Sequence, residues 1–398
     1  MKFIPANSQK EITHSLHPHF PHFQKFPNLG ALQKSERYRT NIPALLDVVD
    51  GVAWQNIHRP DFPTDGRFRV AAWNIERGIR LEKIIEAFQT HPELSRADIL
   101  MITEADVGMG RSGNRNVPRE MAAALGMNYC FSVSFLGLGK GDEGEQEHHV
   151  ENELGLHGTA LLSRYPIIGY RQIPLPTPRD YFSGLEKRLG SRKALLCRIA
   201  CGAHPLDVLT VHLDLKCSPG QRGQQMRHIL DEMEGLDSRY QIIGGDFNTM
   251  TYSLLSGFAL LRDFLYKILF TGFDRTIANY MIPYRFFERW VFEELERGGF
   301  RLSQPQSREL GTLFYDIFED YQQLKAQSHL PGFGFRWLQK KLSPWRDGVP
   351  LRLDWLATRG FSPNAEAGCG EVEVIPLRTL GPERYSDHRP LLGEFQLR

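Results

Sequence analysis

Gln241–Met250 has the sequence QIIGGDFNTM. Ile242 and Ile243 look like the end of a buried strand. Gly244 and Gly245 let the backbone turn without a Cβ penalty. Asp246 and Asn248 follow, two apart around Phe247; if alternation persists, both polar side chains leave on one face while Phe247 goes to the core. A carboxylate and an amide side by side at a strand end have no packing use. They suit a charged ligand or a held water. A plain Gly-Asp turn closed by an Asx bond looks the same locally, so the flanking chain has to decide.

Immediately upstream, Leu209–Leu215 (LTVHLDL) alternates, with Leu209, Val211, Leu213 and Leu215 on one face and His212 and Asp214 on the other. Ser218-Pro219 is a helix cap followed by proline at the first helical position, and Met226, Ile229, Leu230 and Met233 form a helix face. Further back, Phe68–Asn74 (FRVAAWN) is a strand ending at Asn74, with Glu76 just beyond. Leu81, Ile84, Ile85 and Phe88 make one face of a helix, and Asp98–Thr103 (DILMIT) is a second buried strand that runs into Glu104 and Asp106. Strand, helix, strand, with acids at the strand ends, is the layout of an α/β sheet that keeps its site there.

Between these blocks, Pro118–Leu125 predicts a short helix stopped by Gly126, and Gly139–Glu153 a polar, acidic loop. His157 directly precedes the strand Gly158–Ile167. A basic stretch spans Arg179 to Lys193, with Arg188, Arg192 and Lys193 entering the strand Ala194–Ile199. Downstream, about 251–350 breaks the rhythm: aromatic, helical in pattern, an insertion. Sheet character returns at Leu351–Thr358, interrupted by Asp354, and the chain closes with YSDHRP and the strand Leu391–Leu397. Residues 1–66 read as an extension wrapped on a larger body, with one or two helical turns in Leu45–Val52. His14, His17, His19 and His22 sit there among prolines as a surface segment without ligand-like spacing.

The bulk numbers bound the function. At 398 residues and 41% hydrophobic, the chain can bury one large core or two ordinary ones. Its 48 Lys+Arg against 47 Asp+Glu give no net field for indiscriminate binding to nucleic acid or membrane. Five cysteines, none in a CxxC pair, argue against a disulfide framework or zinc knuckle. The start shows no apolar signal region and no uncharged run is long enough to span a bilayer, so a cytoplasmic location is the expectation.

Asn74, Glu104, His212, Asp246, Asn248, Asp354, Asp387 and His388 all stand at the ends of apolar runs. As a set they suit metal-assisted attack of water on a phosphate ester. Mg²⁺ or Mn²⁺ takes carboxylate oxygen and offsets phosphoryl charge. A carboxylate or neutral imidazole takes or orients the water's proton, and an amide such as that of Asn248 stabilises the transition state. Singly, each has a bland reading: a strand acid on a backbone amide, a solvent-facing histidine, a capped turn.

AWNIE, ITEAD, TVHLDL, GGDFN, RLDWL and YSDH, in this order, resemble the successive motifs of the endonuclease/exonuclease/phosphatase superfamily, from about residue 67 to 398 and excluding the insertion. The resemblance implies an α/β fold, a four-layer sandwich of two mixed β-sheets flanked by helices. It implies residues 67–398 as catalytic domain, interrupted at about 251–350. It further implies Glu104 as main metal ligand, with Asn74 beside it and Asp387 near the metal. Asp246 would orient or deprotonate the water, while Asn248 and His212 contact the phosphate. His388, steered by Asp354, would be general base or phosphate ligand. Ile102–Ala105 reads ITEA where AP endonucleases carry L-Q-E-(T/K), and Thr210–Leu213 has the T-x-H-L form; both point away from an abasic-site nuclease and toward the deoxyribonuclease, neutral sphingomyelinase and phosphatase branches. His157-Gly158-Thr159-Ala160 stands where many relatives carry Tyr-Gly-Asn-Ala.

The expected activity is hydrolysis of a phosphodiester, in nucleic acid or in a lipid or small molecule, with phosphomonoesterase and silent binding protein as alternatives. Arg192 and Lys193, with His157, are candidates for holding the substrate phosphate, and with Arg188 could track a polynucleotide. Leu254, Leu255, Phe258, Leu261, Phe264, Leu265, Ile268 and Leu269 make a helix apolar around most of its circumference, a packed lid or a membrane-surface contact. No protein partner is implied.

Overall fold

The computed structural model describes residues 2–141, 150–202, 204–250, 272–303, 311–315, 348–361 and 370–397, with positions 266, 270, 336 and 340. The strands in chain order are β1 (Gln9–Lys10), β2 (Val52–Gln55), β3 (Arg67–Arg77), β4 (Ile99–Val107), β5 (Asn128–Gly137) and β6 (Leu156–Ser163). Next come β7 (Ile167–Pro174), β8 (Arg188–Gly190), β9 (Lys193–Cys201), β10 (His204–His212), β11 (Tyr240–Asp246) and β12 (Arg301–Ser303). The last are β13 (Leu313–Tyr315), β14 (Val349–Leu351), β15 (Asp354–Arg359), β16 (Val372–Val374) and β17 (Leu391–Gln396). The helices used below are α1 (Glu36–Val49), α2 (Leu81–Thr90), α3 (Val117–Leu125), α4 (Pro219–Met233), α5 (Phe273–Asn279) and α6 (Arg289–Arg297).

Alternation along β3 sets the layers. Phe68, Val70 and Ala72 face a second sheet, packing with Met101 and Leu161 against Leu195, Cys197, Val208, Ile242 and Leu356. Ala71, Trp73 and Ile75 face outward, under Leu81, Ile84 and Phe88 of α2 and Met121 of α3. Beyond the second sheet, Leu209, Val211 and Ile243 are covered by Met226, Ile229 and Met233 of α4 and by Val291 and Leu295 of α6. Helix, sheet, sheet, helix: the period-two pattern of both sheets forces four layers.

Among the described residues the first sheet runs β1-β2-β5-β6-β4-β3-β17-β16, with β8 on β5, and the second runs β12-β15-β11-β10-β9-β7. Both are mixed, since β3–β4 and β10–β11 pair in parallel and their other neighbours antiparallel. The capping reading of Ser218 holds, with Gln221 completing a reciprocal capping box at the start of α4.

Three local readings change. Gly244 and Gly245 do not turn the chain; β11 continues through them to Asp246. They are needed for close approach, because a Cβ on Gly244 would lie 2.4 Å from Leu356 Cδ2, and one on Gly245 2.2 Å from Val211 O. Residues 2–66 are built into the body: β2 pairs with β5, β1 with β2, and α1, capped by Ser35, puts Leu45 and Val48 in the outer core with Phe20 and Phe23. Third, part of the 251–350 stretch is sheet, since β12 adds an edge strand to β15. The apolar positions of the helix expected over 254–269 and most of the 139–153 loop lie outside the described residues. No helix of the described residues is long and apolar enough to cross a membrane.

Candidate active site

Strand register assembles the site. His212, the last residue of β10, lies opposite Asp246, the last of β11, and Asp246 lies opposite Asp354, the first of β15. In the first sheet Asn74 is paired with Thr103, one residue before Glu104. Leu391 pairs with Ala72, which returns the Ser386–His388 turn to the end of β3. There Ser386 Oγ donates to Asn74 O at 2.7 Å, and Trp73 Nε1 donates to His388 O at 2.9 Å.

The two sheets meet at Asp246. Asn74 Nδ2 donates across to its Oδ2 at 3.1 Å, the Asn248 N–H donates to its Oδ1 at 2.8 Å, and His212 Nε2 stands 3.3 Å from Oδ2. His388 Nδ1 is 2.7 Å from Asp354 Oδ2, and its Nε2 is 4.0 Å from Asp246 Oδ2. Asn74 is oriented from both ends, because its Oδ1 accepts the Glu76 N–H at 3.1 Å. Asn248 donates its side-chain amide to Leu213 O at 2.8 Å. All eight sequence candidates for catalysis and metal binding therefore converge on one pit between the sheet ends.

The backbone is strained there. Glu76, Arg77, Glu104 and Asn248 hold left-handed φ values of 47°, 65°, 55° and 49°. The β3–β4 register breaks between Asn74 and Arg77, and the β4–β6 register between Ile102 and Ala105. Such bulges re-aim side chains at strand ends, at a cost of about 1–3 kcal/mol for each residue held off its preferred backbone.

Charge is unevenly distributed. Burial, then the neighbouring Asp354, push the Asp246 carboxyl up to about 7. Burial pushes Asp387 up to about 6, with Glu76 and Glu104 adding to it. Burial alone would lower His388, but Asp354, Asp387 and Asp246 together raise it well above the ordinary imidazole value. His212 goes the other way, lowered by burial and then by Arg192. Burial would raise Glu104, but Arg77, His212, His157 and Arg192 hold it far below the usual carboxylate range.

A second histidine lies beside this pit. His157 Nδ1 is 2.7 Å from Asp106 Oδ1, and Asp106 is gripped at both oxygens by Arg111, at 2.7 and 3.0 Å. Arg111 reaches Glu186 at 3.0 Å, and Glu186 also holds Arg188. Burial, with Arg111 and Arg188, lowers His157. Arg192 lies on the same side, its Nε 3.6 Å from Asp214 Oδ1. Lys193 is not brought to the site: its ammonium donates to Val49 O at 2.6 Å and Val133 O at 3.1 Å, inside the fold. Its expected phosphate contact is thereby corrected.

The donor set fits a hard divalent cation. Glu104 and Asp387 are part-exposed while the other six candidates are buried. Asp354 Oδ1 and His212 Nδ1 are buried with no hydrogen-bond partner among the described residues. Asp246, Asp354 and His388 offer ligand atoms within 4.8 Å of one another. Carboxylate and imidazole donors gathered this closely suit a divalent metal ion better than a thiolate-seeking one.

Sequence reasoning missed the supports. Thr312, within the stretch read as a helical insertion, accepts the Leu353 and Asp354 N–H groups at 3.0 and 3.2 Å, and Leu313 bridges His388. Arg384 and Arg80 hold Glu76, which ties the Ser386–His388 turn to β3. Arg384 stands two residues before Ser386, the only sequence signal for that contact.

The pattern of the endonuclease/exonuclease/phosphatase family matches residues 71–388, a span holding all eight residues of the pit. No curated protein matches the chain in sequence. Among solved structures, the chain is similar to an endonuclease/exonuclease/phosphatase family protein from Leptotrichia buccalis C-1013-b, at 11% identity and TM-score 0.46, covering 83% of this chain and 100% of that one. It is similar to the 3'-5' exonuclease NExo from Neisseria meningitidis at 15% identity and TM-score 0.44, covering 83% and 100%. D. rerio TDP2 complexed with a single-strand DNA product is similar at 14% identity and TM-score 0.42, covering 84% and 100%.

Proposed function

The chain belongs to the endonuclease/exonuclease/phosphatase family, and from that premise we propose that it is a Mg²⁺- or Mn²⁺-dependent phosphodiesterase in which water attacks phosphorus directly. Glu104, with Asn74 and Asp387, would hold the ion. When bound, it supplies positive charge to the phosphoryl oxygens.

Asp246 is the base. Its carboxyl is pushed up to about 7 and its orientation is fixed by Asn74 and Asn248, so it can take a proton from water near neutral pH. His388 is the cation that answers the phosphate. Asp354 fixes its tautomer through Nδ1 and raises it, leaving Nε2–H to donate. With Asp387 engaged by the ion, Asp354 and Asp246 would still hold His388 up. Between the two roles open at the sequence level, general base or phosphate ligand, this favours phosphate ligand.

Asn248 and neutral His212 would contact the phosphate, with Arg192, held beside Asp214, as a further contact. His157, also neutral, offers an unprotonated Nε2, which accepts from a substrate hydroxyl and has no proton to donate to a phosphate oxygen. The observation that carries the proposal is the junction of the two sheets at Asp246.

The test is hydrolysis of bis-p-nitrophenyl phosphate and p-nitrophenyl phosphate with Mg²⁺, Mn²⁺ or EDTA. The expected result is metal-dependent turnover, faster on the diester and lost in His388→Ala. Equal rates in EDTA, or a faster monoester, would overturn it. Plasmid DNA and sphingomyelin vesicles then separate nucleic acid from lipid.

A further inference from the structure

The loop Leu213–Cys217 runs from His212 to the Ser218 cap of α4, and its bonds reach three parts of the molecule. On the catalytic side, Leu213 N–H donates to Asp246 O at 2.9 Å and Leu213 O accepts from Asn248 Nδ2 at 2.8 Å. On the substrate side, the Asp214 carboxylate accepts from Gln225 Nε2 at 2.6 Å and from the Tyr181 hydroxyl, with Arg192 Nε at 3.6 Å. Behind the loop, Arg222 Nη1 donates to the carbonyls of Asp214, Leu215 and Cys217 at 3.3, 3.4 and 3.4 Å.

Arg222 is itself fixed by one carboxylate. Its Nε donates to Glu288 Oε2 at 3.1 Å and its Nη2 to Oε1, and both side chains are 0% exposed. Glu288 is the residue before α6, within the stretch that interrupts the catalytic motifs. The helices approach closely beside it, since a Cβ on Gly223 would lie 2.7 Å from Trp290 Cβ. A surface ion pair holds little, but a buried one leaves an uncompensated charge when either partner goes. This pair is a strut.

We propose that Glu288 and Asp214 are positioning residues, by which the 251–350 insertion sets the substrate side of the site. Glu288 holds Arg222, Arg222 holds the loop carbonyls, and the loop aims Asn248 through Leu213 and Arg192 through Asp214. The insertion thus tunes substrate binding without touching substrate at these residues. The phosphate as Arg192's ligand rests on the phosphodiesterase reading; the strut does not.

Two measurements test this on the full chain. Amide hydrogen exchange in Glu288→Gln should speed the Asp214 and Ser218 amides, which bond to Gln225 and Gln221 side chains, about tenfold or more, with β10 and β11 amides unchanged. Wild-type rates at those two amides would overturn the strut. Should that variant not fold, Asp214→Asn keeps the buried pair and carries the kinetic arm. On bis-p-nitrophenyl phosphate, Asp214→Asn and Arg192→Gln should each raise KM roughly tenfold with kcat within about threefold, and the double variant should be no worse than Arg192→Gln. Losses that multiply in the double variant would show that Asp214 does not act through Arg192. Absence of any metal-dependent turnover in the wild type would defeat the phosphodiesterase reading alone, and exchange would still decide the strut.

Discussion

His388 and His157 are both buried, and each sets Nδ1 2.7 Å from an aspartate oxygen, yet their titrations are shifted in opposite directions. Around His388 the field is negative: Asp354, Asp387 and Asp246 together outweigh its burial. Around His157, Asp106 is already gripped by Arg111, and Arg188 is near, so burial prevails and the ring stays neutral. The geometry of an Asp–His pair fixes which nitrogen faces the substrate. What surrounds the aspartate fixes whether that nitrogen donates or accepts.

The largest expected effects fall on His388 and the Asp246 carboxylate that faces it. Asp246→Asn and His388→Ala should each lower kcat by roughly 10³–10⁴-fold, against about tenfold or less for His157→Ala, measured on one diester under saturating Mg²⁺. Equal losses at His388 and His157 would erase the distinction. Asp354→Asn should fall between, about 10²-fold, because it loosens the His388 ring and removes one source of its charge without removing the imidazole.

The same contrast predicts a pH effect on stability. Asp246 is pushed up to about 7, so between the ordinary carboxylate range and about pH 7 the native state holds a proton that the unfolded chain releases. That stability is present at low pH and is lost as pH rises through about 7. In EDTA near pH 8, Asp246→Asn should therefore be more stable than wild type by about 1–2 kcal/mol, with the gain vanishing below about pH 4. Urea melts at the two pH values check it. A variant less stable near pH 8 would show that the donors from Asn74 and Asn248 outweigh the repulsion from Asp354.

The charged pair was legible in the sequence, and the neutral one was not. Asp246, Asp354 and His388 interrupt or terminate apolar runs, where a polar residue has no packing reason to stand. Asp106 and His157 lie 51 positions apart and meet only through the β4–β6 register, and Arg111 reaches them from the turn after β4. Lys193 misled for the opposite reason: it opens a strand, as a phosphate ligand could, but its long stem carries the ammonium to Val49 O and Val133 O. Val52–Gln55 and Arg301–Ser303 are too short to show alternation, so only pairing with β5 and β15 reveals them as strands.

The smallest effect on rate gives the sharpest test of the comparison. If Arg111 is what keeps His157 neutral, Arg111→Gln should free the Asp106 carboxylate to stabilise an imidazolium. His157 would then titrate nearer to or above its ordinary value, and its proton would follow the sign set for His388: bound at low pH, lost as pH rises through the new value. Arg111→Lys, which keeps the charge but not the two-oxygen grip, should move it less. The measurement is an NMR titration of the His157 ring, with kcat/KM alongside, expected to fall only a few-fold as the acceptor nitrogen is filled. A His157 titration unmoved by Arg111→Gln would mean that burial alone sets the ring's charge, and that the guanidinium serves only to anchor Asp106 and Glu186.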